Sequence, residues 1–478
     1  MLKNILFLLF CSIETVILHN IWFQKGPLVD LDYTLVWLFA LCLWGAVLTL
    51  PRPLIAVAFI GQALTAVLLT IWHSHFDNPL SLFVIFQQYR EGLTFATKVW
   101  TTFLNPLLLL PIGFLIAQLI WLRYFTPQKS WQWRSIFYVP LLVLLGGSYH
   151  TFNRLPFTNM DFKAYTKAMG YVQGWIYELM TSYDKKVIIE KTLQSIHQPT
   201  QPLPPELQKV RLPEHIYLVQ VESLDYVAYD GEADGKKIMP FLQSLAPQSA
   251  VYKVRPLSHF CSANADFSLM SKLTNNEELY AAMYWMLPKD FYGQFTSLPQ
   301  KLKSKGYRTS FFHGYIKGFY NREIPYSHYG FDDVYFLEDM PQELNSGEMG
   351  IDDVEAIDFA LAKNKETQAE KQFDFIITLS SHSNYEVGVR NSEPYAAPKN
   401  DREKYINAIN YVDKALEKLL KNTPEDSLYI FYSDHPSNIN ADKNTLLFIY
   451  GQAQNLALQG TIDFPGITEI VHGLVEQK

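Results

Sequence analysis

Residues His215–Ser223 read HIYLVQVES. An apolar run that stops abruptly at a carboxylate and a hydroxyl is too short for a helix. Being apolar on both alternating faces, it predicts a strand buried on both sides. Arg308–His313, Phe373–Leu379, Leu428–Tyr432 and Leu446–Tyr450 read the same way. Between them, apolar positions at helical spacing predict helices over Leu298–Lys305, Asp353–Lys363 and Tyr405–Lys421. Strands alternating with helices predict an α/β sandwich with a largely parallel central sheet.

In such sheets ligands sit beyond the carboxyl ends of the strands. Three of the predicted strands run into groups that can bind a cation: Glu222-Ser223, Ser380-Ser381-His382 and Ser433-Asp434-His435. Two carboxylates and an imidazole at one sheet edge suit a hard-to-borderline divalent metal. Singly, an Asp-His pair after a strand is often no more than a loop cap. A further segment, Ser258–Ser268, reads SHFCSANADFS and suits a turn opening into a helix that runs towards Leu273. A serine at such a helix start has backbone N–H groups and the helix dipole close by, which favour an incoming phosphate or sulfate. The same serine is equally an ordinary N-cap.

Outward from this core the composition changes. The 478 residues are 49% hydrophobic and 18% charged, with 40 basic against 47 acidic side chains and a net charge of −7. That balance excludes a nucleic-acid partner, which needs a basic face, and excludes disorder. Three cysteines are too few for a disulfide scaffold. Only 11 of the charged residues precede Thr126, so a membrane region followed by a water-soluble one is expected.

Five apolar stretches, near 4–24, 33–51, 53–73, 102–122 and 135–150, predict an α-helical five-span membrane domain over 1–152. The first follows Lys3 like a signal peptide, but it lacks a small-residue cleavage site and further spans follow, so a retained helix is expected. Pro51-Arg52-Pro53 predicts a tight hairpin. Lys3, Arg52 and the Arg123–Arg134 loop fall on one side, the cytoplasmic one. Arg90 and Lys98 run against that trend, but the segments after about residue 150 are expected outside. Glu14 and His19 lie within the first stretch and are read as neutral or partnered groups of the helix bundle. Residues 153–212 form a connector. Phe162, Tyr165, Met169, Val172, Trp175, Ile176, Leu179 and Met180 recur at helical spacing, as in a helix at a membrane surface or against the soluble domain. Pro199, Pro202, Pro204 and Pro205 then stiffen a linker into the 213–478 domain.

Taken in order, Glu222, Ser262 with Ala265-Asp266-Phe267, His313-Gly314, Tyr320-Asn321-Arg322, His382 and Asp434-His435 resemble the pattern of lipoteichoic acid synthases. These are phosphoglycerol transferases of the sulfatase-like part of the alkaline phosphatase superfamily. The resemblance implies an outward-facing sulfatase-like catalytic domain on a multi-pass anchor in the bacterial cytoplasmic (inner) membrane. It implies Glu222, Ser262, Asp434 and His435 as ligands of one divalent cation, manganese or magnesium, with zinc as a further option. It also implies Ser262 as a nucleophile, where the family has threonine, and His313, Tyr320, Arg322 and His382 as substrate-binding groups. The implied partners are a phospholipid donor, phosphatidylglycerol, and a glycan or polymer acceptor of the cell envelope.

Asp266 departs from the family's glutamate, and Pro436-Ser437-Asn438 departs from its usual continuation after the Asp-His pair. Ser258 and Cys261 compete with Ser262 for the nucleophile's role. The formylglycine of sulfatases requires Cys-X-Pro-X-Arg, and Cys261 is followed by neither Pro nor Arg, which argues against a sulfatase activity. Two alternatives stay open: phosphoethanolamine transfer, whose enzymes carry several disulfides, and a non-catalytic envelope protein on the same fold.

Overall fold

A computed structural model describes residues 2–23, 34–75, 106–125, 131–154, 203–256, 262–275, 289–319, 322–382, 385–451 and 454–477. Single positions are excepted (206, 342, 345 and 348), and 80, 82, 85, 166, 170–172, 174–175 and 196–197 are added. The chain forms two compact units, Met1–Ile188 and Ile189–Lys478.

The first unit is built of apolar helices: α1 (Leu2–Phe23), α2 (Thr34–Val47), α3 (Arg52–His75), α4 (Leu109–Leu122, preceded by a 3-10 turn) and α5 (Trp131–Arg154). Each coincides with one of the five apolar stretches. By length and composition two of them, over Lys3–Trp22 and Arg52–His73, can cross a membrane, while the apolar parts of the others are shorter. Around an apolar core that includes Phe7, Trp44 and Phe59, their outer surface is apolar too, unlike that of a water-soluble bundle. Among the described residues every exposed large hydrophobic side chain except Val227 and Val389 lies in this unit, with Leu64 and Leu109 about two-thirds bare. Side chains such as these face a lipid-like medium at no cost and water only at a high one.

The predicted hairpin at Pro51-Arg52-Pro53 shifts slightly. The chain turns over residues 48–51, and Arg52 already opens α3, with Pro53 in the first turn where its missing N–H is harmless. The Arg52 guanidinium donates to the Phe125 carbonyl from Nε at 3.0 Å and Nη2 at 2.7 Å. It thereby satisfies an orphan acceptor beyond the end of α4. Glu14 has the partner that its sequence position did not reveal: Gln118 of α4 donates to its Oε2 at 2.6 Å. Of the amphipathic connector stripe, only Val172 and Trp175 lie among the described residues. There, Tyr171 is buried and packs edge-on against Trp22, and Trp175 Nε1 donates to the Leu80 carbonyl at 2.8 Å. Pro199 and Pro202 lie outside the described residues.

The second unit centres on an eight-stranded sheet. Its strands are β1 (His215–Val221), β2 (Ala250–Arg255), β3 (Arg308–His313), β4 (Asp333–Tyr335), β5 (Gln372–Ile377), β6 (Ser427–Ser433), β7 (Thr445–Gly451) and β8 (Leu458–Asp463). They lie in the order β8-β2-β7-β6-β1-β5-β3-β4. Only β7 runs against the others.

Alternation within the strands splits the core in two. Ile216 and Leu218 of β1 face a cluster with Phe267, Leu298, Phe464 and Ile467. Tyr217, Val219 and Val221 face the opposite cluster with Ile357, Ile409, Leu416 and Leu419. The first layer is supplied by helices α6 (Ser262–Ser271), α7 (Leu298–Lys303) and α10 (Phe464–Glu476), the second by α8 (Asp353–Thr367) and α9 (Asp401–Lys421). Covered on both faces, the central strands can be apolar throughout. The α9 start is set by Asn400, whose Oδ1 accepts from the Glu403 N–H at 3.0 Å.

Candidate active site

Register decides what meets at the carboxyl edge of the sheet. Ser433 of β6 is level with Val221 of β1, and Gln220 of β1 with Ile377 of β5, which in turn is level with His313 of β3. Four adjacent parallel strands therefore deliver Asp434-His435, Glu222-Ser223, the 378–382 turn and His313 side by side. Ligand atoms of Glu222, Asp434 and His435 lie within 4.8 Å of one another. His435 Nε2 is 3.4 Å from Glu222 Oε1 and 3.6 Å from Asp434 Oδ2.

The loops behind these groups are tied together by short polar contacts. The Glu222 N–H donates to Thr378 Oγ1 at 3.0 Å, and Ser381 Oγ donates to the Glu222 carbonyl. Asp225 accepts from the Ser437 N–H at 2.8 Å, from Ser437 Oγ and from Asn440 Nδ2 at 2.7 Å, which pins the loop after His435. Asp353 accepts from the N–H groups of Leu379 and Ser380 at 2.7 and 3.2 Å, shaping the turn that carries His382. Each buried polar group that is so engaged avoids a desolvation penalty.

Ser262 is the first residue of α6, as the small-residue run predicts, and its Oγ donates to Glu222 Oε2 at 3.5 Å. One turn on, Asp266 shares its helix face and accepts from Arg322 Nε at 2.9 Å, with both side chains almost fully buried. Arg322 Nη1 lies 3.0 Å from His313 Nε2. Arginine can only donate, so this nitrogen of His313 is unprotonated. Burial, then the guanidinium, hold His313 well below its ordinary pKa, so it is neutral. Burial raises Asp266 despite the Arg322 charge. The structure thus joins Asp266, Arg322 and His313 into one buried unit beside the Ser262 helix, a connection invisible as spacing in the sequence. Asp266→Ala breaks this buried ion pair with Arg322, and a loss of about 3–5 kcal/mol of stability is expected, read as a lower calorimetric Tm. His382 lies in the turn after β5. Tyr320, Ser258, His259 and Cys261 lie outside the described residues.

The residues at the edge fit a divalent cation on their own chemistry. Asp434 and Glu222 are buried, and Asp434 Oδ2 has no hydrogen-bond partner among the described residues. An isolated buried carboxylate oxygen is costly, and a cation is the natural complement to two of them. His435 Nδ1 lies 3.0 Å from the Pro436 carbonyl, which can only accept, so Nδ1 carries the hydrogen and Nε2 offers its lone pair.

Burial and the Glu222 charge push Asp434 up to about 6. Burial alone opposes the His435 imidazolium, but the charges of Asp434 and Glu222 outweigh it and raise that group above its usual value. Both protons must leave before Asp434 and His435 can act as ligands. Apparent affinity for Mn2+ is therefore expected to rise with pH, most steeply below about 6 where both protons are displaced, and by up to tenfold per unit above it until the His435 proton is lost. Calorimetry in buffers of different ionisation enthalpy reads the proton count directly.

Comparison with known proteins places this geometry in context. The sulfatase family model matches residues 214–462, more than half of the chain. The lipoteichoic acid synthase-like protein YvgJ of Bacillus subtilis is 23% identical over 278 residues, covering 53% of this chain and 43% of its own. The lipoteichoic acid synthase of Staphylococcus aureus (strain USA300) is 26% identical over 245 residues, covering 48% of this chain and 37% of its own. The chain thus spans less than half the length of these curated relatives. Among solved structures, the lipooligosaccharide phosphoethanolamine transferase A of Neisseria meningitidis matches 98% of this chain and 95% of its own. Its TM-score is 0.58 at 13% identity, a likeness of fold that takes in the helical unit as well as the sheet. With the family model spanning the strands whose ends converge on Glu222, Asp434 and His435, the chain belongs to the sulfatase family, and its sequence relatives there include lipoteichoic acid synthases.

Proposed function

We propose that this protein is a membrane-anchored, metal-dependent phosphotransferase that moves glycerophosphate from phosphatidylglycerol to a hydroxyl of an envelope glycan or polymer. The observation that carries the reading is the Ser262 hydroxyl, at a helix N-terminus, beside the Glu222–Asp434–His435 ligand set. The names of the sequence relatives support phosphoglycerol chemistry. The five apolar helices support an anchor of five spans, with the sheet domain on the outer face as the Lys and Arg of the loops suggest.

Held by Glu222, Asp434 and His435, a divalent cation, Mn2+ or Mg2+, would supply Lewis-acid stabilisation of phosphoryl charge. The chain's own groups do the rest. Ser262 Oγ attacks the phosphorus of the lipid head group, and its proton passes to Glu222 Oε2, the acceptor within reach. The bond from phosphorus to the diacylglycerol oxygen breaks, and diacylglycerol leaves as the alcohol with that proton. Ser262 then carries a phosphoglycerol ester. An acceptor hydroxyl attacks the same phosphorus, its proton returns to Ser262 Oγ, and the new phosphodiester leaves. Backbone N–H groups at the α6 start, with Arg322 and His382, would donate to phosphoryl oxygens as charge shifts.

The test is phosphatidylglycerol labelled in its head-group glycerol, supplied to the full chain in detergent micelles. Label on the protein and release of unlabelled diacylglycerol are expected; absence of both sinks the reading. The whole-chain likeness of fold to a phosphoethanolamine transferase supports a second reading with the same chemistry and another head group. The mass of the group added to the protein separates the two.

A further inference from the structure

Ser223 is one of the few non-glycine residues on a left-handed backbone, with φ 54°. That conformation strains an L-residue, a cost glycine does not carry. Its surroundings hold it there. The Ser223 carbonyl accepts from Tyr405 OH at 2.9 Å, the same hydroxyl accepts from the Asp225 N–H at 3.1 Å, and the Leu224 N–H donates to Ser433 Oγ at 2.9 Å.

In this conformation Ser223 reaches both buried carboxylates. Its N–H donates to Asp434 Oδ1 at 3.0 Å, and its Oγ donates to Glu222 Oε1 at 2.7 Å. Asp434 arrives from β6 and Glu222 from β1, so one residue bridges acids from two strands. Asp434 Oδ1 also accepts from the His435 N–H at 2.8 Å, which fixes the carboxylate plane and turns Oδ2, without a hydrogen bond among the described residues, towards His435 Nε2 at 3.6 Å.

We propose that Ser223 is a positioning residue of the cation site, its N–H and hydroxyl together holding Asp434 and Glu222 in the orientation that faces His435 Nε2. This rests on the cation reading above. A glycine here keeps the N–H contact and the left-handed turn but loses the hydroxyl. A residue that merely made the turn would be replaced by glycine without consequence for metal affinity. A residue that orients Glu222 would not, because an unheld carboxylate must be ordered again whenever a cation binds.

The experiment uses the full chain in detergent micelles, with Mn2+ affinity measured by calorimetry and the bound ion followed by electron paramagnetic resonance. Ser223→Gly is expected to weaken Mn2+ binding about 10–100-fold and to broaden the resonance of the bound ion. In excess chelator its melting temperature is expected to stay within about 3 °C of the parent protein, because the lost hydroxyl bond and the relieved backbone roughly offset. Ser223→Ala is expected to weaken binding to the same degree. If Ser223→Gly binds Mn2+ within threefold of the parent, the positioning role is overturned while the cation site stands. If the parent protein itself binds no Mn2+, the cation reading falls and the role of Ser223 with it.

Discussion

Ser262→Ala is expected to abolish labelling of the protein by glycerol-labelled phosphatidylglycerol and to reduce turnover on the order of 10⁴-fold or more, the scale on which nucleophile removal acts in covalent catalysis. The rival explanation of this serine is that it only caps α6. Loss of a cap costs about 1 kcal/mol of stability and leaves chemistry untouched. The two readings therefore differ in what moves. If Ser262 is the nucleophile, label vanishes while Mn2+ affinity falls by less than about tenfold, because Glu222, Asp434 and His435 all remain. If it is a cap, the melting temperature drops slightly and label persists. Persistent label would transfer the role to Ser258 or Cys261 in the segment before the helix.

The second large effect is at Asp434. Its two oxygens have different tasks: Oδ1 accepts from the N–H groups of Ser223 and His435, and Oδ2 is buried with no hydrogen-bond partner among the described residues, 3.6 Å from His435 Nε2. Asp434→Asn keeps an acceptor for those two donors but replaces Oδ2 with an uncharged donor. Mn2+ affinity is expected to fall at least about 100-fold, more than for loss of an outer contact, and phosphotransfer to fall with it. Stability should move in the opposite direction. Burial and the Glu222 charge both disfavour the Asp434 carboxylate when no cation is bound, so the metal-free variant is expected to melt at or above the parent temperature. Calorimetric titration and a melt in excess chelator read the two effects separately. An Asn variant that kept parental Mn2+ affinity would remove Asp434 from the ligand set.

The strands that carry the site were legible because they are central. Covered on both faces, β1, β3, β5, β6 and β7 are buried along nearly their whole length and each carries an apolar stretch, and each emerges in the structure within one or two residues of the predicted span. The other three were not. β8 reads LQGTID and is largely exposed or half-exposed, β4 has only three residues, and β2 ends with Lys253 and Arg255. β8 and β4 are the two edge strands, where little demands a continuous apolar run and little pattern is left behind, whereas β2 is paired on both sides but broken by its charged residues.

The same distinction holds at the site. Glu222, Asp434 and His435 could be picked from the chain because each directly follows a buried strand, and chain direction alone sends parallel strand ends to one edge. The small-residue segment suited a helix start, but it was the resemblance to lipoteichoic acid synthases that set Ser262 above Ser258 and Cys261. The left-handed backbone of Ser223, the pairing of Asp266 with Arg322 and the hold of Asp225 on Ser437 left no such trace. Each joins residues 56 or more positions apart, or depends on a neighbour's carboxylate, as Ser223 does on Asp434 across 211 positions.

In the helical unit, length and hydropathy pointed to five apolar stretches, while the hydrogen bond from Gln118 to Glu14 spans 104 positions. Period and polarity are local quantities, so the chain alone specifies the buried central strands, the main helices between them and where much of the chemistry sits along them. Which oxygen of a carboxylate is engaged and which is left bare depends on sheet register and on side chains arriving from other strands. That was settled only when the sheet and its two helical layers closed around them.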